Sequence, residues 1–331
     1  MLKTCFAAFF TQALVLTLAP QPVMAQAGSG TPMRTPDGQP DVSGIFTFRT
    51  LTPLERPSQF EGRDSLSGEE AAAFEASERT RQNRDLFDPV TGAPNAGYQP
   101  RAEGGVLSYN EFWYERGIEL TSDKRTSLII DPPNGRRPPR TEAAQVAARE
   151  RRAHTEIHRY DSYENRTMTD RCLGTSVAGP PLRAGAYNNN MMIFQTADHV
   201  VIQNEMASQA RVIPLADTAK PSFAQLKGVS RGHWEGETLV IETTNFRSDS
   251  ALTGPNMHLI ERLTRLDQDT VAYEYTVTDP TVYTAPYTAM IPLRRTDGPI
   301  FEYACHEGNI GLYGILAGAR ELERQGRELR R

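Results

Sequence analysis

The chain has 331 residues, with 36 Lys plus Arg against 41 Asp plus Glu, a formal net charge of -5 and 38% hydrophobic residues. This is ordinary globular material with enough apolar side chains for a sizeable core, and the length suits one or two domains. It excludes collagen-like, disordered and disulfide-dense miniprotein classes, and the mild acidity argues against a general binder of nucleic acid or anionic membranes.

Residues 1–25 read as a secretory signal. Lys3 precedes an apolar run from Cys5 to Ala19, and Val23-Met24-Ala25 places small residues where a signal peptidase reads. The run is shorter than the ~20 residues that span a bilayer. No second such run follows, so no membrane span is expected after signal removal, and the expected location is the periplasm or the exterior.

Residues 26–186 read as a wrapping region. It opens as a Gly/Pro-rich arm with consecutive turns over Thr35-Pro36-Asp37-Gly38-Gln39-Pro40 and one apolar stretch, Ile45-Phe46-Thr47-Phe48, able to lend a strand. Ser67 and Glu70 form a capping-box pattern that predicts a helix over 68–84. An aromatic cluster follows at 109–114. Residues 125–130 read as a strand, stopped by Asp131-Pro132-Pro133-Asn134-Gly135. Thr141 is a fitting N-cap for a second helix to 158.

Residues 187–331 read as an antiparallel β body with a C-terminal helix. Short β-branched and aromatic runs between turn residues predict strands near 190–196, 199–206, 210–215, 228–234, 237–246, 258–266, 270–278, 284–294 and 299–306. The amphipathic tail 315–331 predicts a surface helix. The fold class is therefore mainly β, a calycin- or lipocalin-like barrel or a sandwich.

Strand parity sharpens this. Val271, Tyr273, Tyr275 and Val277 share one face, while Leu239, Ile241, Thr243 and Asn245 share another. Several faces mix polar with apolar residues, where a sheet with one wet side should alternate cleanly. A closed barrel with a partly polar interior accounts for mixed faces; solvent-exposed strands with scattered Thr and Glu account for them equally.

Only Cys172 and Cys305 remain once the signal is gone, and two cysteines in an oxidising compartment usually pair. A thiol nucleophile at Cys305 is the competing reading. Adjacent strand residues point to opposite faces, so His306 is badly placed to activate that thiol. The four lysines are Lys3, Lys124, Lys220 and Lys227; all other cations are Arg, a bias that GC-rich codons explain.

Four patches are dense in reactive or recognising groups. They are Arg171-Cys172-Leu173-Gly174 with Gly179-Pro180-Pro181 and Tyr187-Asn188-Asn189-Asn190; Gln203-Asn204-Glu205 with Arg211; Gly232-His233-Trp234-Glu235-Gly236 with Glu242-Thr243-Thr244-Asn245; and Tyr303-Ala304-Cys305-His306-Glu307-Gly308-Asn309. Together with Arg125 to Pro133, these stretches resemble a family of exported proteins abundant in environmental Gram-negative bacteria. The resemblance implies export and adds no chemistry.

Read from the residues, His306 is the leading proton shuttle because imidazole titrates near neutrality, with Glu205 as its orienter and His233 as a weaker candidate. Tyr187, Asn188, Arg211, Tyr303 and Asn309 are the candidate substrate-binding residues. His199, His233, His306, Glu205 and Glu242 are numerous enough for a zinc-type metal, but no pair has a recognised ligand spacing, and no nucleotide, haem or phosphate-loop motif is present. No organic cofactor is expected. The first reading is an exported, cofactor-independent lyase, isomerase or hydrolase acting on a small organic substrate in a barrel cavity. The alternatives are a non-catalytic, lipocalin-like binding protein for an apolar or aromatic ligand, and a structural envelope protein.

Overall fold

The computed structural model describes residues 33–83, 85–86, 111–174, 177–216, 219, 221–247 and 254–327. The signal expected at 1–25 and part of the aromatic cluster at 109–114 lie outside these residues. Ten strands form one sheet: β1 (Gly44–Thr47), β2 (Ile129–Asp131), β3 (Asn190–Gln195), β4 (His199–Asn204), β5 (Gln209–Pro214), β6 (Val229–Glu235), β7 (Thr238–Thr244), β8 (His258–Arg265), β9 (Thr270–Thr278) and β10 (Tyr287–Arg295). Among the described residues three α-helices accompany it: α1 (Gly68–Gln82), α2 (Glu142–His158) and α3 (Ile310–Arg324).

Nine of the strands run antiparallel in the order β5-β4-β3-β1-β10-β9-β8-β7-β6, and β2 pairs with β10 beside this path. The result is a nearly closed, calycin-like barrel. Its two end strands, β5 and β6, lie side by side without a ladder of hydrogen bonds between them. Ile213 and Leu215 fill this seam at one level, where a Cβ on Gly232 would lie 3.2 Å from Ile213 Cγ2 and 2.8 Å from Leu215 Cδ2. Glycine at 232 lets the two edges approach by side-chain packing alone.

The sequence arm is more than a wrapping. Phe46 sits opposite Met191 on one side and Arg295 on the other, so β1 is the stave that joins the β3–β5 meander to the β6–β10 meander. The strand expected at 125–130 forms only at 129–131. The strand expected at 299–306 does not form: this segment is irregular, and Pro299 follows Gly298 just beyond β10. The Cys172–Cys305 disulfide is present and anchors that irregular segment to the loop before β3.

Register explains the core. Trp234, Leu239, Leu263, Tyr273 and Ile291 are successive partners across five strands, and the last four are buried. The next inward row is Gly232, Ile241, Glu261, Tyr275 and Ala289. Thus the face shared by Val271, Tyr273, Tyr275 and Val277 is the interior. The outward rows mix polar residues with apolar ones such as Val240, Ile260 and Met290, and include the pairs Thr276–Thr288 (2.9 Å) and Thr238–Thr264 (2.7 Å).

Helix α1 begins with the expected capping box, Ser67 accepting from Glu70 N and Glu70 accepting from Ser67 N. It covers a second small apolar cluster of Leu51, Leu66, Ala71 and Leu120. Thr141 caps α2. Arg320 of α3 donates to the carbonyls of Tyr160 (2.8 Å) and Asp161 (3.2 Å), which fixes α3 beyond the end of α2. No helix among the described residues is long and apolar enough to cross a membrane.

Candidate functional site

The polar heart of the barrel is a chain of three side chains from three strands. Arg211 on β5 pairs in register with Ile202, an inward position. Its guanidinium makes a bidentate contact with Glu261 of β8, Nη1 to Oε2 at 2.6 Å and Nη2 to Oε1 at 2.9 Å. Tyr273 of β9 donates its hydroxyl to Glu261 Oε1 at 2.7 Å and accepts from Leu182 N at 3.2 Å. Glu261 is fully buried. Burial opposes the Arg211 charge, but the adjacent carboxylate more than offsets it, so the guanidinium is held above its ordinary range. Burial, reinforced by Glu261, keeps the Tyr273 phenol neutral far above its usual range. The carboxylate is thereby saturated with donors and neutralises Arg211.

Lys227 adds a further cation with no such compensation. Residues 225–228 form a tight turn, with Gly228 N donating to Gln225 O at 3.1 Å. Gln225 is pinned behind β7 by donating to Asn245 O (3.0 Å) and accepting from Arg247 N (2.9 Å). Gly228 has φ of +70°, and a Cβ there would lie 2.7 Å from both Thr243 Cγ2 and Thr244 O. This turn delivers the partly buried Lys227 to the seam. Among the described residues its amine has no ion-pair or hydrogen-bond partner. Burial first, and the nearby Arg211 second, pull its pKa from 10.5 down to about 7.

A cavity of about 650 Å³ occupies the seam between β5, β6, Ala219 and the 221–228 segment. Its described lining is apolar at Leu173, Val212, Pro214 and Leu226 and cationic at Arg211, Lys227 and Arg231, with no carboxylate. Arg231 directs its guanidinium to the carbonyls of Ser230 and Ala219, both at 2.8 Å. A recess of about 10 Å³ lies further in, bounded by Asn204, Glu261, Tyr273 and the same two residues, Arg211 and Lys227. The Asn204 amide donates to Ala178 O at 2.9 Å, while its buried Oδ1 accepts no hydrogen bond among the described residues. Arg211 and Lys227 therefore stand between an outer, solvent-connected cavity and an inner polar niche.

The residues singled out from sequence are distributed differently. Arg211 is in the interior. Glu205 is buried in a tight turn after β4, accepting from Asn190 Nδ2 at 2.7 Å and from Phe301 N at 3.4 Å. His306 is exposed on the irregular C-terminal segment, and among the described residues its ring has no hydrogen bond to Glu205. His233 points outward from β6 and contacts Glu235 at 3.2 Å. Tyr303 N donates to Ser208 Oγ at 2.8 Å, and Asn309 caps α3 while donating to Asp170 O at 3.1 Å. Tyr187 is partly buried beside Tyr114, ring centroids 6.2 Å apart, and the adjacent Asn188 has φ of +53°.

No three of His, Cys, Asp and Glu gather as metal donors among the described residues. The described lining of the seam cavity carries Arg and Lys side chains and no carboxylate. Lys227, Glu261 and Tyr273 went unselected in the sequence reading. Glu261 had a visible signal, an acid within the leucine face Leu259-x-Glu261-x-Leu263. Lys227 had a weaker one, a lysine in a chain whose cations are nearly all Arg. The sequence matches no known family model and no curated protein.

Proposed function

We propose that this is an exported small-molecule-binding protein whose ligand, an apolar body bearing a carboxylate or comparable anion, occupies the seam cavity and pairs with Lys227. The observation that carries this reading is the placement of an amine with no carboxylate partner among the described residues on the wall of a cavity of about 650 Å³, beside a guanidinium already paired with Glu261. Cavities of about 300–1,000 Å³ with mostly apolar walls and few polar groups accommodate small organic ligands. An anion supplies a counter-charge that no described residue supplies to Lys227.

The disulfide, together with the leader expected at 1–25, supports a location outside the cytoplasm. An acid–base enzyme working through His306 and Glu205 is favoured less, because the former is exposed and the latter is buried and accepts from Asn190 and Phe301 rather than from His306.

The test is calorimetric titration of aromatic and branched aliphatic carboxylates against the matching neutral amides. The reading requires that carboxylates bind, that amides bind at least about tenfold more weakly, a difference of about 1.4 kcal/mol, and that Lys227→Met removes the preference. Equal binding of acid and amide would contradict it.

A further inference from the structure

We propose that Lys227 holds its ligand covalently and reversibly, as an imine, and that the ligand class is the small oxo acid, a carboxylate with a ketone or aldehyde carbonyl. This deepens the seam-cavity reading and rests on it.

An imine-forming lysine needs an unpaired amine, access for a small carbonyl compound and shelter from bulk water. Lys227 meets all three. Among the described residues its amine has no ion-pair or hydrogen-bond partner, and it borders both the outer cavity and the inner recess. The fixed positive charge of Arg211 stands beside it, and the one carboxylate of that cluster, Glu261, is engaged by Arg211 and Tyr273. A neighbouring cation and a desolvated setting favour the neutral, nucleophilic amine. The lowered proton affinity of Lys227 agrees with this geometry.

An arginine would serve simple anion pairing as well, with more donors and a permanent charge. This chain uses Arg for nearly every cation, yet the cavity position carries a primary amine, the group that can add to a carbonyl carbon.

The step is balanced without any oxidant or reductant. The Nζ lone pair forms a bond to the carbonyl carbon as the C=O π pair moves to oxygen, and one amine hydrogen passes to that oxygen to give a hydroxyl. The hydroxyl then leaves as water with the second amine hydrogen, giving the C=N bond. Protonation of the imine nitrogen from solvent restores the positive charge, so the ligand carboxylate keeps its counter-ion. Asn204 Oδ1, buried and without a donor among the described residues, borders the same recess and offers an acceptor for the intermediate hydroxyl.

The experiment uses the purified chain, phenylpyruvate as the oxo acid and phenyllactate as its hydroxy counterpart, with sodium cyanoborohydride to reduce and fix any imine. Peptide mass spectrometry then locates the adduct among Lys124, Lys220 and Lys227. The expected result is an adduct on Lys227 in large excess over the other two, suppressed by added phenyllactate, lost in Lys227→Arg and retained in Lys124→Arg. The wild-type distribution decides the matter even where Lys227→Arg fails to fold. No adduct, or an even spread over the lysines, while phenyllactate still binds calorimetrically, overturns the imine and leaves the anion site standing. Failure of both acids to bind overturns the site as well.

Discussion

Arg211 and Glu261 are joined by two hydrogen bonds, at 2.6 and 2.9 Å, across the place where the barrel has no backbone ladder. Arg211 belongs to the end strand β5, and Glu261 belongs to β8, two strands in from the other end. The ion pair therefore ties the two edges of one sheet together from inside. Removing one partner leaves an uncompensated buried charge, which costs about 3–5 kcal/mol, whereas replacing both with apolar residues costs far less. Urea denaturation should show Glu261→Leu strongly destabilised and the Arg211→Met/Glu261→Leu double variant recovering a large part of that loss. Additive losses would show that the pair does not act as a unit.

Lys227 should give stability a distinctive pH dependence. Its folded-state pKa is lowered to about 7, against about 10.4 in an unfolded chain. Between these values the unfolded state binds more protons, so its contribution to stability rises with pH across that window. Below the folded value the amine is charged in both states, and the full penalty of charging it in the folded state applies. The difference in denaturation midpoint between wild type and Lys227→Met should therefore shift in favour of wild type on going from pH 6 to pH 9. A difference independent of pH would contradict the lowered proton affinity.

Gly228 sets the aim of that lysine. Its φ of +70° and the 2.7 Å approach of a would-be Cβ to Thr243 Cγ2 and Thr244 O leave no room for a side chain. Gly228→Ala should cost about 1–3 kcal/mol and weaken carboxylate binding by moving the turn. Unchanged binding, measured on folded variant, would mean that the turn does not position Lys227.

The disulfide closes a separation of 133 residues and anchors an otherwise irregular segment. Cys172→Ser/Cys305→Ser should lower stability by about 2–4 kcal/mol. Proteolysis should then cut first near 299–309, which lacks a strand ladder of its own. Protease resistance equal to wild type would show that α3 contacts suffice to hold the segment.

Much of the β body was legible because period-2 patterning and turn residues are local signals. The strands from 190 to 278 formed within two residues of their expected ends, and Ser67/Glu70 and Thr141 capped helices as their chemistry requires. The run at 299–306 looked like a strand by side-chain type, yet Pro299 has no N–H to donate, and the backbone donors of Phe301 and Tyr303 go to the side chains of Glu205 and Ser208 instead of to a strand. The candidate site was only partly legible. Arg211 could be picked out, but its partner lies 50 residues on, and Lys227 sits in a polar turn whose inward aim depends on the tertiary contact of Gly228 with β7. Local dense patches such as 303–309 drew notice instead, because sequence proximity of reactive groups does not report which of them the barrel encloses.

The most direct test of the central claim is calorimetric titration of phenyllactate at pH 8 in two buffers of different ionisation enthalpy. At that pH the free Lys227 amine is mostly neutral, and an anion held against it raises its proton affinity, so binding should draw protons from the buffer. Net proton uptake, lost in Lys227→Met along with most of the affinity, is the expected result. Tight binding with the same heat in both buffers, unaffected by that substitution, would place the ligand elsewhere.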